Sequence, residues 1–215
     1  MAKAKASRQR RRMSPDAQEL LVLELQQIHS AESQLSRALP RLSKAAQSQA
    51  LRECLDERLE EGERVLKEVE SALDELDESP GRRRNVAAEG LISDVREHVQ
   101  EIEPGPALDA VLIAGIQKTE HYCIAAWGTA RSLAGALEET TTVQAMTRAL
   151  EEGAPFDEKL TKLAEEEITP ALLSAEESDE TGEEESDEAQ SGAMRGGGDG
   201  ARGRSNERSN QRAGR

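Results

Sequence analysis

Apolar residues return along most of this chain at alternating steps of four and three, the spacing that lines one face of a helix. A first predicted helix carries Leu21, Leu25, Ile28, Leu35, Leu39 and Leu42 on such a face, and Ser14-Pro15-Asp16 reads as its start. There Ser14 would be the N-cap, Pro15 the first helical residue and Asp16 an acid in the first turn. Pro40 should kink or end that helix nearby. A second, from about Gln49 to Leu76, aligns Leu51, Leu55, Leu59, Leu66, Val69, Leu73 and Leu76, and Ser79-Pro80-Gly81 follows as a turn. A shorter third helix, from about Arg84 to Ile102, has Ala87, Leu91, Val95 and Ile102 on one side, with His98 read as a surface residue.

Pro104-Gly105-Pro106 then breaks the chain. The fourth helix, about Ala107 to Glu138, presents Leu108, Leu112, Ile116, Thr119, Cys123, Ala126, Ala130, Leu133 and Leu137. The fifth, about Thr142 to Ile168, turns Val143, Met146, Leu150, Leu160 and Ala164 inward and should bend at Pro155. Beyond Pro170 the pattern stops.

Composition agrees with an all-α fold. Tyr122, Trp127 and Phe156 are the only aromatic residues in 215, so aliphatic side chains must build the core, a supply that suits helices better than sheets. Charge then divides the chain. Residues 1–13 carry +6, 14–173 carry −16, 174–188 carry −9 and 189–215 carry +4. The expected domain is therefore the acidic helical body 14–173. A disordered basic arm, 1–13, would precede it, and a disordered acidic then Gly/Arg-rich tail, 174–215, would follow. An acidic body is no binder of duplex DNA, although the arginine-rich tails would make weak, salt-sensitive contacts with nucleic acid. Cys54 and Cys123 have no framework spacing and read as free thiols in a reducing, cytoplasmic setting. The N-terminal charges have no apolar stretch behind them, and the longest apolar run, Leu20 to Leu23, is far too short to span a bilayer.

The chemistry lies where the apolar pattern is broken. Glu32 takes a missing step in the first seam. Glu61 lies beside Gly62 in the second stripe, whereas Glu60 points the other way. Glu120 sits on the edge of the fourth face one turn before Cys123, and Asp157 is near the centre of the fifth, one turn after Gly153. An ionised carboxylate in such a place is costly unless it is paired or binds a cation. Acids gathered from four helices are the arrangement of ferritin-like di-iron or di-manganese carboxylate bundles. Nothing points to a hydrolase, since there is no nucleophile elbow and no phosphate loop.

Ser30-Ala31-Glu32-Ser33-Gln34-Leu35-Ser36-Arg37-Ala38-Leu39-Pro40, Leu59-Glu60-Glu61, Glu89-Gly90-Leu91-Ile92 and Asp109-Ala110-Val111-Leu112-Ile113 leading to Glu120-His121-Tyr122 resemble the bacterial YciE/YciF ferritin-like stress proteins. The resemblance covers about 17–170. It implies a rubrerythrin-like antiparallel bundle of four long helices plus one shorter helix that forms a homodimer, a dinuclear metal site and a role in stress. The departures are specific. The family's His-Leu-Glu-Glu-Thr is here Arg58-Leu59-Glu60-Glu61-Gly62, its Glu-His-Tyr-Glu is Glu120-His121-Tyr122-Cys123, and a Glu expected before the last acid is Gly153.

Two readings follow. In one, Glu32, Glu61, Glu120 and Asp157 hold iron or manganese, with Cys123 as a further ligand that would favour zinc or iron, and the site oxidises iron or reduces peroxide. His121, on the face opposite Cys123, would be exposed or outside the ligand set. In the other, the protein is a metal-free dimeric stress scaffold, Arg58 pairing with Glu61 or Glu32 in place of metal.

Overall fold

The computed structural model of the chain describes residues 15–175 and 177. Expectations for 1–13 and for nearly all of 174–215, including nucleic-acid contact through the tails, lie outside the described residues. The helices are α1 (Ala17–Ala45), α2 (Gln49–Glu75), α3 (Val86–Glu101), α4 (Pro106–Ala136) and α5 (Thr140–Leu163), and there is no strand among the described residues. A π turn, Ala164–Ile168, continues α5, and 169–173 remain helical, so the helix runs past Pro170, where the sequence pattern ends. No helix among the described residues is long and apolar enough to cross a membrane.

Local chemistry sets the helix ends. Ala17 starts α1 because Asp16 and Glu19 form a capping box: Glu19 N–H donates to Asp16 Oδ1 (2.9 Å) and Asp16 N–H to Glu19 Oε2 (3.2 Å). The N-cap is thus Asp16 and not Ser14, since a reciprocal pair satisfies two free amides at once. Pro40 lies inside α1 without ending it. Leu39 and Leu42 are both buried on either side of it, and they hold the last turn on the core.

Every pair of long neighbouring helices runs antiparallel. The short links 46–48 and 137–139 join α1 to α2 and α4 to α5. Between α2 and α5, surface ion pairs run in opposite order: Glu57–Lys159, Arg64–Glu152 and Glu68–Arg148. Between α1 and α4, the buried Asp109 at the start of α4 accepts from the Gln47 and Ser48 amides (2.8 and 2.7 Å) beyond the end of α1. The helix α3 carries the chain back along the bundle, packing on α1 and α4. Gly115 permits this, because a Cβ there would run into Val95.

The inward faces differ in detail from the leucine pattern. In α2 the buried line is Leu51, Cys54, Leu55, Arg58, Glu61, Gly62, Val65, Val69, Ala72 and Leu73, while Leu59, Leu66 and Leu76 are only half-buried. In α3 it is Ala88, Ile92 and Val95, with Ala87 exposed and Leu91 half-buried. Small and charged residues hold the centre of these faces, and the larger aliphatic ones flank it.

Two hydrophobic clusters result. One gathers Leu35, Leu42, Leu51, Leu55, Leu112, Ile116, Phe156 and Leu160 near the α1–α2 link. The other gathers Leu21, Leu25, Ile28, Val69, Leu73, Cys123, Trp127, Ala130 and Met146 at the opposite end. Between them, each long helix contributes a polar or minimal residue: Glu32 from α1, Arg58, Glu61 and Gly62 from α2, Thr119 and Glu120 from α4, and Gly153 from α5.

Candidate functional site

Helical spacing builds this layer. Glu32 lies one turn from Ile28 and from Leu35, Arg58 lies between Leu55 and Glu61, and Glu120 between Ile116 and Cys123, so each is buried with its apolar neighbours. Arg58 is the centre and is 0 % exposed. Its Nη2 donates to both oxygens of Glu32 (3.0 and 3.1 Å), and its Nε donates to Glu120 Oε2 (2.6 Å). Glu61 Oε2 is 4.0 Å from the same Nε. The guanidinium carbon also stands 5.7 Å from the centre of the Trp127 ring, within cation–π range.

Burial by itself would lower the arginine's pKa, but Glu32 and Glu120 outweigh it and hold the group well above its ordinary value. Burial pushes Glu120 upward, against the pull of Arg58. For Glu61 burial again leads. Arg58 opposes it, Glu120 and Glu32 add to it, and the carboxyl is raised to about 7.

A stability consequence follows for Glu61. Its folded-state pKa, about 7, lies above the ordinary 4.5, so near neutrality the folded protein holds a proton that the unfolded chain has already released. The stability that this proton brings is complete at low pH and is lost as pH rises through the folded value. Glu61→Gln is expected to flatten the fall in unfolding free energy between about pH 5 and pH 8, read by urea denaturation. A slope equal to that of the unmodified protein would contradict it.

Both glycines of the layer face crowded space. A Cβ at Gly62 would lie 3.1 Å from both Arg58 Nη1 and Glu32 Oε2, and one at Gly153 would lie 2.6 Å from both Glu120 Oε1 and Trp127 Cζ3. Cys123 is buried beside Glu32, and burial followed by that acid pushes its thiol well above the usual range, so it is a neutral S–H. Asp157 does not reach Arg58. It lies at the rim, its Oδ2 3.6 Å from Nε2 of His121, whose side chain is 68 % exposed.

The sequence-predicted acids Glu32, Glu61 and Glu120 therefore meet on one guanidinium, with Cys123 alongside and Asp157 to one side. A pair of metal ions, as the family resemblance implies, does not fit this donor set. The fixed cation already lies between Glu32 and Glu120, where it would repel a metal and occupies the acceptor positions such an ion needs. Glu61 Oε1, Glu120 Oε1 and Asp157 Oδ1 are buried without hydrogen-bond partners among the described residues. Yet no group of three or more His, Cys, Asp or Glu among the described residues is spaced to hold a metal.

Two further buried residues, one in the layer and one at the start of α3, do not stand out among the acids on the apolar seams. Trp127, one turn beyond Cys123, fills the space above Gly153; the signal was a lone tryptophan on an apolar helix. Asn85, 1 % exposed, caps α3 through its Oδ1 and donates from Nδ2 to Gln27 O (3.1 Å) and Tyr122 Oη (2.6 Å). An Asn directly before a helical run was its signal.

Residues 16–173 match a family described as a domain of unknown function, DUF892. Protein YciF of Escherichia coli strain K12 is 36 % identical over 141 residues, covering 65 % of this chain and 85 % of that protein. The crystal structure of the E. coli stress protein YciF superposes with a TM-score of 0.67 at 34 % identity, over 70 % of this chain and 96 % of that one. YcfI of Rhodopseudomonas palustris, proposed to be a structural protein, gives 0.65 at 31 % identity, over 68 % and 94 %.

Proposed function

This chain belongs to the DUF892 family, and from that premise we propose that it is a dimeric, stress-associated structural bundle in which Arg58 takes the place between the acids that metal ions would otherwise occupy. One observation carries this reading: the fully buried guanidinium donates to Glu32 and to Glu120 at the same time. The guanidinium hydrogen-bonds both acids and offsets one of their two charges, and burial raises the pKa of Glu120, so the layer needs no metal ion to remain buried. The names of the relatives, a stress protein and a protein proposed to be structural, support a role of that kind. Oxidation of iron or reduction of peroxide, the other reading of these carboxylates, would require a pair of cations in a layer whose middle is already charged.

Metal analysis joined to thermal melting tests the proposal. Protein purified without chelator is expected to carry less than about a tenth of an equivalent of iron, manganese or zinc, and added ferrous iron or Mn(II) should leave Tm unchanged. A ligand specific for the folded state and present at about 100 times its Kd would add roughly 2.7 kcal/mol, a shift of several degrees. One or two equivalents of metal together with such a shift would overturn the reading.

A further inference from the structure

We propose that the connection between α2 and α3, together with the adjoining face of α1, forms a binding pocket for a small molecule carrying two or more phosphate groups. A hollow of about 370 Å³ opens there, lined by Ser33 and Arg37 of α1 and by Gly81, Arg82, Arg83 and Arg84 of the connection. Its size is in the range of small-ligand sites, roughly 300–1,000 Å³.

The connection is held in place. Gln26 Nε2 donates to Ser79 O (2.9 Å), Gln34 Nε2 to Asn85 O (3.0 Å), and the Asn85 amide to Ser30 Oγ (2.9 Å), so both ends of the arginine run are tied to α1. Gly81, at φ +68°, supplies the left-handed turn from which the arginines project.

The charge here is opposite to that of the body. Residues 14–173 carry −16, yet Arg37 and three consecutive arginines surround one hollow. Arg84 is engaged by Glu89 (2.7 Å), and His29, which lines the hollow, engages Glu70 (2.9 Å). Arg37, Arg82 and Arg83 have no carboxylate partner within 4.0 Å among the described residues. Arg83 also borders a second hollow that Asp16, Glu19 and Glu78 line.

Chemistry selects the ligand. A guanidinium fork matches phosphate oxygens in pairs, and the three positive charges of Arg37, Arg82 and Arg83 exceed the two negative charges of one phosphate dianion and match a diphosphate more closely. The hydroxyls of Ser30 and Ser33 are further donors on the same wall. The acidic surface around the hollow repels an extended polyanion, so a compact ligand fits better than nucleic acid.

Calorimetric titration of the full chain at low salt tests this, with inorganic pyrophosphate, ATP, inorganic phosphate and adenosine as probes. Pyrophosphate and ATP are expected to bind, phosphate more weakly and adenosine not at all. The double substitution R82Q/R83Q, on exposed residues, should weaken pyrophosphate binding by about tenfold or more without moving Tm. The substitutions R10Q, R11Q and R12Q in the basic arm should leave it unchanged. Absence of pyrophosphate binding, or an R82Q/R83Q affinity within about twofold of the unmodified chain, would overturn the proposal. So would an oligonucleotide that binds through these arginines while pyrophosphate does not.

Discussion

Replacing Arg58 with alanine is expected to destabilise the protein by about 3–5 kcal/mol, much of the roughly 5–15 kcal/mol that holds a typical domain together. Truncation would remove the one cation that contacts Glu32 and Glu120 among the described residues, both acids being wholly buried, and would leave two carboxylates in a dry interior without that counter-charge. The loss should depend on pH in a defined direction. Burial already raises the Glu120 pKa against the pull of Arg58; without the guanidinium that carboxyl takes up a proton more readily in the folded state than in the unfolded one, so R58A should regain stability as pH falls. Urea denaturation near neutrality and again in mild acid measures both effects. Combining R58M with E32Q and E120Q should recover most of the loss, because a neutral layer of similar volume requires no cation. An R58A loss below about 1 kcal/mol would mean that water or another group compensates the acids, contrary to the charge balance described here.

Trp127→Ala is expected to cost about 3–5 kcal/mol, by opening a cavity where the largest side chain of the core now sits. Its ring covers the Arg58 guanidinium and lies over Gly153, so the polar layer would open toward the second cluster as well. Trp127→Phe should be far milder. The indole Nε1 has no hydrogen-bond partner among the described residues, and a smaller aromatic ring keeps most of the contact. The neighbouring glycine gives an internal control. Gly153→Ala should be harmful on its own and less so in the W127A background, where only the contact with the Glu120 carboxylate tip remains, with a coupling of about 1 kcal/mol or more in a double-mutant cycle. Additive losses would show that the two positions do not compete for the same space. Being the sole tryptophan, Trp127 also reports its surroundings by fluorescence in the unmodified protein.

These expectations separate what periodicity can read from what it cannot. Each of the five helices is legible in the apolar repeat, and the breaks at Ser79-Pro80-Gly81 and Pro104-Gly105 lie between helices in the structure, Pro106 opening α4. The direction of an individual face is less so. Counting leucines turned α2 toward Leu59 and Leu66, while the line actually buried passes through Arg58 and Val65, because a paired arginine can occupy a core position that a hydropathy pattern assigns to solvent. Glu32, Glu61 and Glu120 stood out as acids on apolar seams, and that signal located the layer. Asp157 stood out for the same reason, yet it lies at the rim beside His121, since Trp127 occupies the volume above Gly153. What joins the acids could be guessed only from Arg58 replacing the family's histidine. That the guanidinium bridges Glu120 as well as Glu32 depends on how α2 is rotated against α4, which no local spacing encodes.

Dividing the hydrocarbon interior by a stratum of ions also gives the bundle a fixed alignment. Greasy helices can slide past one another by a turn, about 5.4 Å, with little penalty, since one leucine replaces another. Here such a slip would drive Glu32 or Glu120 into Leu and Ile and leave the arginine facing hydrocarbon. The charged stratum thus works as a detent, selecting one axial setting of the four long rods from several that would pack about equally well.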